Sequence, residues 1–455
     1  VGISVEELSA GLARVCARVG LGALSLAPQR LTGGAVMESW RFGVGGDVYV
    51  LRRAPSLAFM EGRPYGHSTE AALIEAARAK GVTAPEVVAV LEEADGLGSG
   101  FVMRALPGTA DPKVILGCDD PDGLLREAAR DLARIHRLRQ GDVPAGVPVM
   151  EYRAAIADLK AQFMDAGGDR PIIALGLKWL EDNSPAEVEP VLNHGDYRMG
   201  NLLVEGSTLT GVLDWEIAHF GDRHEDLAFG CMAVWRFHRY DRPALGLGSI
   251  EDYIAAYEAE AGVTVDPARF RFWTIYRTVW WALGCLKMAA QWRSGADRML
   301  ERVVISRRTS EQELDLLLLL EEDAPQQDKD QDLFSTRALV RPTGEAKIAD
   351  IAVAVSEWLA TIKDKLDGHD RFQLAVARNA LGIIARSSTS DAELCDNSHF
   401  AGLILSGEMT LQTHGLLHDL RSAILEKVQD DSPKYPALQI VREKWPTPDK
   451  RTEQA

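Results

Sequence analysis

Apolar and polar positions change period several times along the first hundred residues. Residues 5–20 read as a helix, and Leu31-Thr32-Gly33-Gly34 interrupts that pattern. Glu38 to Phe42 and Asp47 to Arg53 then alternate as two strands, with Gly43, Gly45 and Gly46 supplying the turn between them. Helical spacing returns over about 68–80 and stops at Gly81. Pro85 to Leu91 and Phe101-Val102-Met103 read as further short strands, closed by Pro107-Gly108. Residues 1–107 are therefore expected to form a strand-rich lobe with one helix inserted. From about 121 the period becomes helical, with Leu124, Ala128, Leu132, Ile135 and Leu138 on one face. It remains helical through 151–165 and 251–320, around a strand-like island at 191–214. A sheet-rich lobe followed by a helical lobe over 108–320 predicts an α+β protein.

The pattern stops at 321–332, where EEDAPQQDKDQD holds six acidic residues, one lysine and almost no apolar side chain. Such a segment buries too little surface to offset its ordering entropy, so a linker is expected over 321–340. About four amphipathic helices follow, and a small helical bundle over 341–445 is the natural way to pack them. In the first, Ile348, Ile351, Val355, Leu359, Ile362 and Leu366 recur at three- and four-residue steps. The third opens on Ser390-Asp391-Ala392-Glu393, a capping box. The last carries Leu417, Leu420, Ile424 and Val428 before Pro433.

Length and composition narrow the classes. A chain of 455 residues implies two or three compact units, and 46% hydrophobic with 26% charged residues is a globular composition. The net charge of −17 argues against nucleic acid and against anionic membranes, both of which select a basic face. Cys16, Cys118, Cys231, Cys285 and Cys395 show no metal-ligand spacing and read as free thiols in a reducing compartment, the cytoplasm. The most apolar helix, Trp273 to Trp292, carries Arg277 and Lys287 and fits a protein core better than a bilayer. His414 and His418 stand one helical turn apart without a third ligand nearby. Asn379 shares an apolar helix face with Phe372, Val376 and Ile383 and is expected to be buried.

The chemistry concentrates in His194-Gly195-Asp196-Tyr197-Arg198-Met199-Gly200-Asn201 and in Leu213-Asp214-Trp215-Glu216. Between them, Leu202 to Val204 and Leu209 to Leu213 flank Gly206-Ser207 as a hairpin. With the turn centred on Ser207 and Thr208, Val204 pairs with Gly211 and Leu202 with Leu213, which sets Asn201 beside Asp214. An amide oxygen and a carboxylate so placed suit Mg²⁺. Asp196 is then close enough to address a hydroxyl, and Arg198 to offset charge on a transferring phosphoryl group. These are the parts phosphoryl transfer requires.

The spacing Asp196-x-x-x-x-Asn201 resembles the catalytic loop of protein kinases, with Asp214-Trp215-Glu216 where those have Asp-Phe-Gly. The His-Gly-Asp head resembles aminoglycoside phosphotransferases, choline kinases and related small-molecule kinases, over about residues 20–320. That resemblance implies a bilobal protein-kinase-like fold, ATP and Mg²⁺ as cofactors, and a small-molecule hydroxyl as acceptor. It places Thr32, Gly33 and Gly34 in the loop that covers the nucleotide. Arg52 stands where a phosphate-binding lysine is commoner, and Glu70 where its helix partner would be. Backbone groups of Met103 and Ala105 fall at the hinge that binds adenine. Asp222 and Asp226 fit structural support of the loop.

The segments Tyr49 to Arg53 and His194 to Asn201 look most like phosphotransferases associated with acyl-CoA dehydrogenases, which implies a hydroxyacyl-CoA such as 4-hydroxyacyl-CoA as acceptor. The tail, with Arg371-Phe372, Ala375, Ala377, Asn379 and Leu425 to Tyr435, resembles a small helical partner of such kinases, here fused. An aminoglycoside or amino-alcohol kinase and a non-catalytic nucleotide-binding scaffold remain open, as does homo-oligomer formation.

Overall fold

The computed structural model describes residues 3–31, 37–294, 296, 305–331, 348–387 and 397–445. The chain forms two compact units, one from residues 1–151 and 186–270, the other from 152–185 and 271–455.

The first unit opens with the helix Val5–Arg18, capped by a reciprocal Ser4–Glu7 box. Its sheet is five-stranded and antiparallel, in the order β1-β2-β3-β5-β4. The strands are β1 Leu24–Arg30, β2 Glu38–Val44, β3 Asp47–Arg53, β4 Val87–Val90 and β5 Gly100–Arg104. β1 escapes the sequence pattern because it is an edge strand whose single buried residue is Pro28. Alternation along β3 divides the two faces. Tyr49 and Leu51 pack with Leu8, Leu12 and Val15 of the first helix. Val48 and Val50 line a cleft on the opposite face. The inserted helix His67–Ala79 buries Leu73, Ile74 and Ala77 in a second core that also includes Phe101 and much of the helix Pro121–Ile135.

The strand-like island resolves into β6 Val191–Asn193, β7 Leu202–Glu205, β8 Thr208–Val212 and β9 His219–Gly221, with β6 paired to β9 and β7 to β8. The hairpin register differs from the expected one by one residue at Leu202 and by two at Val204, which pairs with Leu209. Leu202 faces Val212 and Glu205 faces Thr208, so the turn is Gly206-Ser207, with an irregularity between Leu203 and Val204. Gly206 at φ 62° is the reason: a left-handed residue at that point closes the turn one step early. Asn201 therefore lies opposite Leu213, whose N–H reaches its carbonyl at 2.8 Å, and Asp214 follows one residue on.

The second unit contains the helices Tyr152–Asp165, Pro171–Asp182 and Thr309–Leu320 together with the tail. Gly176 admits the close approach of Pro171–Asp182 to Thr309–Leu320, since a Cβ there would stand 2.7 Å from Leu316 Cδ2. Among the described residues, two helices of the tail pack on helices from earlier in the chain. The helix Asn397–Leu405 packs on Pro171–Asp182, and Leu416–Asp431 packs on Thr309–Leu320.

The expected linker is also overturned within the described residues. Glu321 and Asp328 are 0% and 1% exposed. The Arg421 guanidinium donates to Glu321 Oε2 at 2.8 and 3.0 Å and to the Lys329 carbonyl at 2.9 Å. Trp445 Nε1 and Lys444 Nζ also reach the Glu321 carboxylate. Burial against a matched cation supplies what composition alone withholds. Asn379 is exposed rather than buried. Cys395 and the capping box at 390–393 fall outside the described residues, and no described helix is long and apolar enough to cross a membrane.

Candidate active site

The loop between β6 and β7 is held from beneath by a buried carboxylate. Asp226 accepts the backbone N–H of His194 at 2.5 Å and of Gly195 at 2.8 Å, while His136 Nε2 stands 3.3 Å away. Asp222 caps the helix Arg223–Phe229 and binds Arg269 at 2.6 Å, so both residues support the loop rather than the chemistry. Gly195 has φ 82°, and a Cβ there would sit 2.6 Å from the Ile217 carbonyl oxygen. This sharp turn aims Asp196 outward, with 18% of its side chain exposed.

Asp196 Oδ2 accepts from Asn201 Nδ2 at 2.6 Å. Arg198 grips both carboxylate oxygens, at 2.7 and 3.2 Å, and its guanidinium stacks 4.4 Å from the Trp235 ring centre. Gly200 leaves the space for that fold-back, because a Cβ would lie 2.3 Å from Arg198 Nη1. Arg198 thus pairs with Asp196, a contact that sequence spacing alone did not indicate. Burial raises the Asp196 carboxyl to about 6 even though Arg198 opposes the shift.

Asp214 has φ 70°, a left-handed backbone that an aspartate tolerates better than most side chains. Burial disfavours its charge, but Arg52, Arg198 and His194 outweigh that and hold its pKa below the usual carboxylate value. The expected Arg52–Glu70 pair is present, Nε to Oε1 at 3.0 Å. Arg52 Nη2 goes further, reaching Asp214 Oδ1 at 2.5 Å and Glu216 Oε2 at 2.7 Å. Arg53 lies on the other strand face, 3.6 Å from Glu38. Burial raises Glu70 to about 7, against the opposing effect of Arg52.

Beside these groups lies a cleft of about 760 Å³ lined by β2, β3, the end of β5 and the β7–β8 hairpin. Leu31, Val50, Met103, Leu203 and Leu213 give it apolar walls. Ala105 and Leu106 close one side, where Thr109 and Val204 exchange two backbone hydrogen bonds of 2.9 Å. The volume suits a nucleoside-sized ligand. Ala105 donates its N–H to the Val48 carbonyl at 2.9 Å, which leaves it only the carbonyl for a base. Leu106, also on the lining, carries a backbone N–H with no partner among the described residues. Thr32, Gly33 and Gly34 fall outside the described residues.

The sequence profile of the phosphotransferase enzyme family (APH) matches residues 28–273, more than half of the chain. The chain belongs to that family. Among curated relatives, the phosphotransferase is 26% identical over 245 residues to mouse acyl-CoA dehydrogenase family member 10, covering 47% of this chain and 22% of that protein. It is also 26% identical over 115 residues to the Arabidopsis thaliana probable acyl-CoA dehydrogenase IBR3, covering 22% of this chain and 14% of the other. The match spans less than a quarter of either relative. A solved structure from Ralstonia eutropha, named a "putative aminoglycoside phosphotransferase", superposes with a TM-score of 0.57 at 19% identity, over 69% of this chain and 98% of that one. At that identity the likeness shows the fold: an antiparallel sheet followed by a mainly helical remainder, as in kinases of small molecules.

The donor set of this phosphotransferase fits a hard divalent cation. Asn201 turns its amide nitrogen onto Asp196, so its carbonyl oxygen faces away with no partner among the described residues. Asp214 Oδ2 likewise has no hydrogen-bond partner among the described residues. Two further groups belong to the site. Glu216 was visible in the motif without a role, and Arg63, whose Nη1 reaches Glu216 Oε2 at 2.9 Å, carried no signal. It lies in an irregular segment where neither period nor motif marks a residue. Tyr65 of that segment donates its hydroxyl to the Trp215 carbonyl at 2.5 Å.

Proposed function

We propose that this phosphotransferase moves the γ-phosphate of ATP to the hydroxyl of a hydroxyacyl-CoA, of which a 4-hydroxyacyl-CoA is the leading case. The observation that carries the transfer chemistry is Asp196, a partly exposed carboxylate raised to about 6 and fixed by Arg198 and Asn201 next to the metal-type oxygens of Asn201 and Asp214. Asp196 accepts the acceptor's proton as its oxygen attacks phosphorus. Arg198 keeps the carboxylate in one orientation, and Asn201 ties it to the hairpin. Arg52 and Glu70 place a fixed cation on the phosphate side. Met103, Ala105 and Leu106 take the base in the cleft. Mg²⁺ on Asn201 and Asp214 would neutralise charge on the phosphates.

The acyl-CoA part rests on the names of the two curated relatives, which join this type of domain to acyl-CoA dehydrogenases. The fold neighbour's name and the net charge of −17 favour a second reading, a cationic aminoglycoside or amino alcohol. Purified full-length chain, assayed for ADP release against 4-hydroxyacyl-CoAs, choline and aminoglycosides, separates the two. Turnover of a hydroxyacyl-CoA with a new phosphate-ester resonance in ³¹P NMR is expected. Turnover of an aminoglycoside or choline alone selects the second reading, and no ADP release with any acceptor removes both.

A further inference from the structure

We propose that Arg52 and Arg63 act as a latch on Asp214 and its neighbour Glu216, so that a divalent cation enters this site together with nucleotide phosphates and not before them. The proposal rests on the phosphotransferase reading above and concerns the order in which that site fills.

Three carboxylates meet two guanidinium groups here. Arg52 Nη2 spans Asp214 Oδ1 at 2.5 Å and Glu216 Oε2 at 2.7 Å, while its Nε holds Glu70 at 3.0 Å. Arg63 Nη1 approaches the same Glu216 oxygen at 2.9 Å, and its Nε is anchored on the Phe59 carbonyl at 2.8 Å. Both side chains are largely enclosed, with 11% and 15% of their surfaces exposed. A planar guanidinium reaches separate carboxylates through separate nitrogens, which a point-like ammonium does less well.

A magnesium ion binds carboxylate oxygen at about 2.1 Å. An ion on Asp214 would therefore stand close to Arg52, which already donates to that carboxylate, and near Arg63, which holds Glu216 two residues on. Either the metal stays out or the arginines let go. If they let go with nothing else bound, two enclosed guanidinium groups lose charged partners, which is costly. Nucleotide phosphates remove that cost, because their oxygens accept the same N–H donors bidentately. Metal and nucleotide binding are then coupled through the arginines, each raising the affinity of the other. Arg63, tethered at Phe59, is a positioning residue in this scheme. It keeps Glu216 occupied until phosphate arrives.

The test is a titration of full-length protein with Mn²⁺, the free ion followed by electron paramagnetic resonance, without and with ADP. Wild type should bind Mn²⁺ alone at least about tenfold more weakly than with ADP. Arg63→Ala should strengthen binding of Mn²⁺ alone by roughly tenfold, about the worth of one charge-assisted hydrogen bond, and so narrow the gap. Arg52→Lys, which exchanges the fork for a point charge, should shift it the same way and serves if Arg63→Ala melts at a lower temperature. Unchanged Mn²⁺ affinity in a folded variant overturns the latch, as does wild-type protein that binds Mn²⁺ equally with and without ADP. Calorimetry of ADP binding keeps the failures apart. Absence of ADP binding under all conditions defeats the functional reading, whereas normal ADP·Mn²⁺ binding with an unmoved Mn²⁺ response defeats the latch alone.

Discussion

Burial lifts the Asp196 carboxyl to about 6, and Arg198 and Asn201 pull in the other direction without restoring an ordinary value. Only the ionised form accepts a proton, so turnover should be nearly constant above neutrality and fall tenfold per pH unit well below pH 6. Asp196→Asn should remove that limb and lower kcat by about 10²–10⁴-fold while ADP still binds. A pH–rate profile of both proteins checks this, and a variant that keeps the wild-type profile would take the base elsewhere. The closeness of Asp196 and Asn201 was legible because their spacing is local, and the Arg52–Glu70 pair because a strand's alternation leaves one face to the cleft. Arg63 was not. Its partner Glu216 lies 153 residues away, and no periodicity encodes a contact of that range. The contact of Arg198 with Asp196 was not legible, since a chain pattern shows that a cation is near the loop and not which carboxylate it turns to.

At the level of elements, the hairpin and the loop before it owe their shape to residues with left-handed backbone. Gly206 sets the register that the alternation of Leu202 to Leu213 left uncertain. Gly195 turns the chain where a side chain would strike Ile217. Gly195→Ala should therefore cost about 1–3 kcal/mol in stability and move Asp196 off its bearing. Thermal melting and kcat should both drop, and a variant with unchanged melting and turnover would show that the loop accommodates the methyl group. Strands β2, β3 and β5 were readable from apolar alternation bounded by Gly and Pro. β1 was not, because an exposed edge strand with an internal proline has no alternation to read. The acidic stretch after 320 misled for the opposite reason. Its composition is that of a solvated linker, and Arg421, from a helix 100 residues later, together with Lys444 makes the burial of Glu321 tolerable.

For the whole molecule, that contact is the test of whether the tail is separable. Arg421→Met leaves Glu321 buried with one matched cation fewer, and removal of one partner from such a pair costs about 3–5 kcal/mol. Calorimetric melting should show a clear loss, and the double variant Arg421→Met with Glu321→Leu should regain part of it. A single variant as stable as wild type would return the tail to the status of a loosely joined module. The second unit also gathers its pieces from distant stretches of sequence. The helix Pro171–Asp182, which buries Ile172, Ile173, Leu177 and Leu180, packs against the helix Asn397–Leu405, made about 215 residues later. At translation rates of about 5–20 residues per second, roughly 10–40 s pass between the synthesis of that apolar face and the emergence of its cover. All segments of the first unit are made by residue 270. During protein synthesis the first unit can be complete while the helix 171–182 still waits for its cover.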